Sequence, residues 1–287
     1  MLSLTSKVTN AEYKAMVLKS IARGDLPGSR NAATMAMNRA TMSRGQASSN
    51  TVLGGLCVTS VGREHNEGVH NALIIVSDCG KVIGSGKQHK TSCLQHLDPC
   101  QCTHFLIADY LHGLYEEAMY ITPDFTGKDW SQRPLFPGNL PNIVANERMS
   151  SGTMDVAIRE LQQECFQGIW TSAKFELCKK QHAGRNVGHS DAVAAGVTDD
   201  DIRQVGGWGG EWDNPAFSSK NKSATRLDHY GDGTPQGGLK GLADCNLEKG
   251  YHHPRCARWS ACAHAGMLCG RHSYALLDVC VLFRSCA

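Results

Sequence analysis

Apolar residues recur with the period of an α-helix along much of the first two hundred residues. The segment 11–23 sets Met16 and Ile21 among basic side chains, which is the pattern of an amphipathic helix, and Gly24 and Pro27 end it. The same period predicts further helices over residues 30–43, 103–118, 150–168 and 199–205.

Between these helices, two runs of β-branched and aliphatic residues have the composition of strands. They cover Leu53–Val61 and Ala72–Ser77, and glycines at Gly80, Gly84 and Gly86 interrupt the chain that follows. The predicted fold class is therefore mainly α, with a small β-hairpin or three-stranded sheet.

Composition separates a patterned body from an unpatterned end. Apolar residues make up 41% of the 287 residues, and Gly is abundant at 30. Periodicity is lost after about Trp212, and six of the 13 cysteines fall in the last 43 residues. We predict a core over residues 1–217, a Gly/Ser/Asp-rich linker over 218–249 and a Cys/His-rich tail over 250–287 that is not an independent fold.

Charge is sorted along the chain although the net charge is only +2. From Lys14 to Lys90 there are ten Lys or Arg against four acids, whereas from Asp98 to Trp170 there are four against ten. Such a chain can present a basic face to a polyanion. Two differently solvated faces would give the same count.

No stretch approaches the ~18 consecutive apolar residues of a membrane-spanning helix, so we expect no membrane partner. Polar residues and Glu12 occupy the place where a secretory signal needs an apolar segment, which predicts an intracellular chain. Its cysteines are then expected to be reduced thiols or metal ligands rather than disulfides.

Two groups of cysteines and histidines deserve consideration as zinc ligands. Neither contains a Cys-x-x-Cys pair, so we expect chance clusters, no bound metal and no cofactor. One group comprises Cys93, His96, Cys100, Cys102 and His104, and the other comprises Cys256, Cys262, His264, Cys269 and His272.

The segment between Lys179 and Trp208 carries the most informative chemistry. His182 and Arg185, three positions apart, lie on one face of a helix and can reach a single anion. Trp208, 23 residues after Arg185, can return an indole N–H to the same site. Phosphoryl transfer depends on this kind of cationic and hydrogen-bond stabilisation. Taken alone, the pattern also fits a surface arginine and a buried tryptophan.

This segment resembles the signature of the tyrosine recombinases, in particular the Crypton-type recombinases and their DNA-binding relative in the budding-yeast centromere-binding complex. The family's last element is Gly-Arg-Trp, and Gly207 replaces its arginine here. The matching elements are His182–Arg185, Gly196-Val197, Ile202-Arg203 and Gly206-Gly207-Trp208.

The resemblance continues upstream and is collinear over roughly residues 8–217. Asn31–Gly45 looks like the family's first catalytic helix, whose Leu-Arg-Gly-Glu turn reads Ser-Arg-Gly-Gln in this chain. Gly86–Gln88 resembles the hairpin that carries the family's catalytic lysine. Asp98–Cys100 and Phe105–Leu111 resemble the stretch that follows it. The resemblance therefore implies a recombinase-like catalytic core.

Carried over position by position, the resemblance implies five roles. Arg44 and Arg185 would clamp the scissile phosphate through forked hydrogen bonds. Lys87 would protonate the leaving 5′-oxygen, His182 would stand beside the phosphate, and Trp208 would support the site through its indole N–H. We assign DNA contacts to Arg30, Arg39, Lys90, Lys179, Lys180 and Arg203.

The family's nucleophile is missing from its expected place. Recombinases of this kind attack DNA with a Tyr hydroxyl that lies shortly after the Gly-Arg-Trp element. Phe217 occupies that place, and Tyr230 is a fallback whose neighbours do not resemble the family's helix. The composition of the tail is that of unselected coding, as in a truncated copy of a mobile element.

The sequence therefore predicts a nuclear protein that binds double-stranded DNA through a recombinase-like core and is catalytically impaired. Assembly as a homo-oligomer on DNA is left open. One alternative is an active recombinase that uses Tyr230 for DNA integration. A second alternative is an interaction module that zinc stabilises in the tail.

Overall fold

The computed structural model describes most of the first two hundred residues of the chain. A mostly helical fold with a small antiparallel sheet is present, as the sequence predicts. The described residues are 7–43, 45–61, 70–77, 89–96, 98–117, 123–124, 126, 128–138, 147–178 and 182–206.

The first helix, α1, spans Asn10–Ala22 and starts at a capping box. The Thr9 side chain accepts a hydrogen bond from the backbone N–H of Glu12, and the Glu12 carboxylate accepts one from the backbone N–H of Thr9. This satisfies two amides that a helix start would otherwise leave without partners. The capping box also fixes the position of the Glu12 side chain.

The second helix, α2, spans Leu26–Ala40 and is the centre of the fold. Twelve of its fifteen residues are buried, because other helices pack around it. Asp25 caps its first turn by accepting from the backbone N–H of Gly28, and Pro27 lies inside that turn. The helix therefore begins four residues before the predicted start at Arg30, since Pro27 initiates a helix here as well as following one.

The remaining helices are α3 (Gly45–Ser49), α4 (Thr103–His112), α5 (Ser151–Phe166), α6 (Ser172–Leu177), α7 (His182–Ala194) and α8 (Asp199–Val205). Of these, α3, α4, α5 and α7 contact α2, and α8 contacts α7. A π-helical turn, Gly113–Glu117, extends α4 to within one residue of the end that the sequence predicts. Short 3₁₀ turns cover Leu53–Gly55, Pro99–Gln101 and Asp129–Gln132.

Three strands form one antiparallel sheet in the order β1 (Leu56–Val61), β2 (His70–Ser77) and β3 (His89–Leu94). The register pairs Leu56 with Ile75, and Leu73 with Cys93. These four side chains belong to the main core, which joins one face of the sheet to the helices. Of the two arrangements that the sequence predicts, the structure has the three-stranded one.

The largest helices are too short to be membrane spans. The longest helix of the described residues, α5, has 16 residues and an exposed face that carries Arg159, Glu160 and Glu164. Within the ranges that the structure covers, no helix combines the length and the hydropathy needed to cross a bilayer.

Candidate functional site

Helix α7, which begins with His182, lies in direct backbone contact with α2. A Cβ atom added at Gly184 would lie 2.6 Å from the carbonyl oxygen of Met35, and one added at Gly188 would lie 2.1 Å from that of Arg39. Both distances are far below van der Waals contact, so only glycine permits this approach. The two glycines, one turn apart, therefore fix α7 against the C-terminal half of α2.

A small second core continues this contact beyond the glycines. Ala192 near the end of α7 joins Met42, which lies two residues after α2, and both are fully buried. Ile202 and Val205 of α8 complete the cluster. The two helices consequently advance along each other in the same direction, and α8 covers the end of their interface.

A buried ion pair locks the same interface. The Nε and Nη2 atoms of Arg39 both donate to Oδ2 of Asp191, at 2.9 and 2.6 Å. The other oxygen of Asp191, Oδ1, accepts a hydrogen bond of 2.7 Å from the Asn10 amide. The Arg39 side chain is only 3% exposed, so the carboxylate supplies the partner that a buried guanidinium needs. Three helices, α1, α2 and α7, meet at this point.

Hydrogen bonds extend from this ion pair to the turn before α4. The Asn10 amide also donates to Oε1 of Gln101 at 3.3 Å, and the Gln101 amide donates to Oδ2 of Asp98 at 3.1 Å. Lys14 forms an ion pair of 2.8 Å with the same Asp98 oxygen. The backbone N–H of Asp98 donates to Nδ1 of His96 at 2.9 Å. We call this chain of contacts from Arg39 to His96 the polar seam.

The polar seam holds its titratable groups in definite protonation states. Burial, reinforced by the positive charge of Arg39, lowers the pKa of His96 to about 4, so its Nδ1 stays free to accept. Burial opposes the charge on Asp98, but hydrogen bonds from Lys14 and from Gln101 outweigh it and lower the pKa of that carboxyl. At neutral pH the seam therefore contains a neutral imidazole and an ionised carboxylate.

The turn that leaves α2 is built from buried hydroxyl and amide groups. Asn38 accepts hydrogen bonds from the hydroxyls of Ser48 and Ser43, and the Thr41 hydroxyl donates to the carbonyl oxygen of Met37 at 2.7 Å. Met42 follows with a backbone φ of 48°, a left-handed conformation that residues other than glycine rarely adopt. Packing of the buried Met42 side chain in the second core offsets this strain.

The approach to α7 from the preceding helix is also held in place. Glu12 of the capping box accepts from the Trp170 indole N–H at 2.8 Å and forms an ion pair of 2.5 Å with Lys174 of α6. The Lys174 ammonium also lies over the Trp170 ring. Burial works against the charge on Glu12, but hydrogen bonds from Lys174, Thr9 and Trp170 lower its pKa. Glu12 thus ties α6, which precedes α7, to the start of α1.

Of the predicted catalytic residues, Arg185 is the one whose side chain the structure describes. It follows Gly184 directly in α7 and is half-buried. His182 begins the same helix, so the helical spacing of the pair is as expected. Outside the described residues lie Arg44, Lys87, Trp208, Phe217 and Tyr230.

Two of the predicted DNA contacts lie in the interior. Arg39 is paired with Asp191, and Arg30 is 7% exposed on another part of α2. In this structure neither guanidinium is on a surface that duplex DNA can reach. A count of charges along the chain could not distinguish these two arginines from solvated ones. Small residues on all sides of α2 leave no clear alternation of apolar and polar positions that would show which side is buried. The side chains of Lys90, Lys179, Lys180 and Arg203 are not among those described.

Asp191 is the residue of this site that the sequence reasoning missed. It follows Gly184 and Gly188 at helical spacing, which places the three on adjacent positions of one face. Two glycines four residues apart in a predicted helix indicate a close helix contact, and an acid on that face of the contact indicates a buried partner. That signal was present in the sequence but pointed to no particular arginine.

The first cysteine and histidine group does not converge. No set of three His, Cys, Asp or Glu residues that could hold a metal ion occurs in the part of the chain that is described. Burial raises the pKa of the Cys93 thiol to about 12 and lowers that of His104 to about 4. These side chains are therefore neutral core residues. The second group, in the tail, lies outside the described residues.

No family model matches this sequence. No curated protein matches it either. The resemblance to tyrosine recombinases accordingly rests on the motifs within the chain.

Proposed function

We propose that this protein binds duplex DNA through a core that resembles that of the tyrosine recombinases. The observation that supports the proposal is the contact between α2 and α7. These helices lie about 150 residues apart in the sequence, and they contain or precede the motif residues Arg185 and Arg44. The glycine contact brings the helix of one motif against the helix that leads to the other.

The chemistry at this junction suits a phosphodiester. A guanidinium presents a fixed fork of donors that matches the oxygens of a phosphate, and Arg185 is half-buried and directly follows Gly184, which contacts α2. Asp191 is paired with Arg39 and Asp98 with Lys14, so the charges of these two carboxylates are offset within the fold. Affinity would then come mainly from phosphate contacts and fall steeply with salt.

In this proposal the protein binds DNA as a recombinase does but cleaves it poorly or not at all. Strand cleavage in this family needs a Tyr hydroxyl, and Phe217 stands at the position that the motifs assign to it. Nuclear localisation and descent from a mobile element belong to the same proposal. The competing proposal is an active recombinase in which Tyr230 is the nucleophile.

The first test measures the affinity for duplex DNA at two salt concentrations. The full chain should bind, and the affinity should decrease with salt. Arg185→Gln should weaken binding about 10-fold or more and reduce the salt slope by about 1, because one phosphate contact is lost. Arg159→Gln is the matched control, since Arg159 is an exposed arginine on α5 whose long ion pair with Glu176 is at the surface.

Thermal unfolding of both variants separates a binding defect from a folding defect. Absence of binding at low salt, or an affinity that salt does not change, would contradict DNA binding. Equal affinity of the Arg185→Gln and Arg159→Gln variants would contradict the location of the site. A covalent adduct on a nicked substrate that disappears in Tyr230→Phe would replace the inactive form with an active recombinase.

A further inference from the structure

Arg30 is a second buried arginine of α2, and its environment differs from that of Arg39. The side chain is on the fifth residue of the helix and is 7% exposed. Its Nε atom is buried without a hydrogen-bond acceptor, and no carboxylate of the described residues forms an ion pair with it. A buried guanidinium in this condition is strongly unfavourable unless an anion compensates its charge.

The neighbours of Arg30 supply one carboxylate, which is engaged by other groups. Its electrostatic neighbours are Tyr110 on α4 and the pair Arg23 and Asp25 at the turn between α1 and α2. Asp25 is already used, because it accepts from Gly28 at the start of α2 and from the Arg23 guanidinium. Two guanidinium groups against one carboxylate leave a positive balance at this end of α2.

A second donor lies one turn along the same helix. Thr34 is 1% exposed, and its hydroxyl has no hydrogen-bond partner in the described structure. Thr34 follows Arg30 by four residues, so the two lie on one face of α2, one turn apart. Tyr110 of α4 is an electrostatic neighbour of Arg30, and α4 packs against α2. A guanidinium fork together with a hydroxyl is a set of donors for an oxyanion.

We propose that Arg30 and Thr34 bind a small oxyanion of the phosphate type between α2 and α4. The ligand takes two hydrogen bonds from the guanidinium and one from the hydroxyl, and it neutralises the charge that burial penalises. Arg30 is 7% exposed, too little for a duplex to reach its guanidinium. The site is separate from the proposed DNA contact at Arg185 and does not depend on it.

The test follows thermal unfolding of the full chain with inorganic phosphate against chloride at equal pH and ionic strength. Phosphate should raise Tm by several degrees in a saturable way, as expected for a ligand that binds only the folded state. Arg30→Gln should lose this shift. Thr34→Val should keep the fold and weaken phosphate binding about 10-fold, because one hydrogen bond to a charged ligand is lost.

Arg159→Gln, an exposed arginine variant, should keep the whole phosphate shift. A Tm that responds equally to phosphate and chloride would overturn the proposal, as would a phosphate shift that survives in Arg30→Gln. Saturation with duplex DNA should leave the phosphate shift in place. If DNA removes it, the anion site is a DNA contact and the proposal of a separate small ligand is wrong.

Discussion

Helix α2 carries two buried arginines, and they teach different lessons. Arg39 has a carboxylate within 2.6 Å and belongs to a network that joins three helices. Arg30 lies nine residues earlier on the same helix, is buried almost as deeply, and has no carboxylate bound to it among the described residues. Burial by itself therefore does not reveal what an arginine does, since the identity of its partner separates a structural role from a binding role.

The two ends of α2 also differ in how they respond to their surroundings. The Arg39 end is closed by glycine contacts and by the polar seam, so its charges are balanced within the chain. At the Arg30 end, the balance depends on what the solution supplies. Conditions and mutations that act on the seam should therefore change stability, whereas those that act at Arg30 should change the response to anions.

Acidification should have the largest effect on the Arg39 end. The pKa of His96 falls from 6.5 to about 4 on folding, so the folded state resists a proton that the unfolded chain accepts. The stability conferred by the neutral imidazole is complete above about pH 6.5 and is lost as pH falls toward 4. The loss is roughly 3 kcal/mol, which urea unfolding between pH 7 and pH 4.5 will measure in part.

His104 adds a similar dependence, because burial also lowers its pKa to about 4. Replacing His96 with Gln should therefore reduce the slope of the free energy of unfolding against pH, between pH 6.5 and 4, by about half rather than abolish it. An unchanged slope in that variant would show that the seam is not sensitive to protons. Below pH 4 the lowered pKa values of Asp98 and Glu12 should produce a further loss, as these carboxylates are protonated.

Removal of the partner of Arg39 should have the next largest effect. Asp191→Ala leaves the guanidinium buried and unpaired, and we expect a loss of about 3 kcal/mol in the free energy of unfolding. Equilibrium unfolding in urea measures it. The double variant Arg39→Leu with Asp191→Leu should lose less than Asp191→Ala alone, since no charge is left without a partner. A larger loss in the double variant would mean that the ion pair stabilises the fold more than two apolar side chains do at the same positions.

A methyl group at the glycine contact should have a smaller but clear effect. In Gly188→Ala the new Cβ meets the carbonyl oxygen of Arg39, so α7 must move away from α2. We expect a loss of about 2 kcal/mol and weaker DNA binding. The matched control is Gly152→Ala at the exposed start of α5, where the nearest atom is a Ser150 hydroxyl at 3.7 Å. Equal Tm values for both variants would contradict the close helix contact.

Local pattern predicted the elements of this fold well. Helices α1, α5 and α8 lie within a residue or two of the predicted ranges, because amphipathic period and capping residues are read from neighbours in the chain. The start of α2 was misplaced because Pro27 ends one helix and begins another. The short helix α6 was not predicted, since six residues carry too little periodic signal.

The candidate site was less accessible to such reasoning. Spacing correctly placed His182 and Arg185 on one helix, and the structure confirms that helix. The sequence pattern also assigned Arg30 and Arg39 to DNA, although both are buried. Residue type and charge count do not show in which direction a side chain points. The remaining motif residues, Arg44 among them, stay predictions.

The amino-acid sequence by itself determined most of the helical segments, two of the three strands that the structure describes and the motifs that the chain carries, since these depend on residues close together in the chain. Tertiary structure decided the partners of its buried charges. Asp191 meets Arg39 only because Gly188 lets two distant helices approach, whereas Arg30 forms no ion pair with the described carboxylates because Asp25, the carboxylate near it, is engaged by Gly28 and Arg23. Contacts between distant residues depend on how the whole chain packs, and no local pattern contains that information.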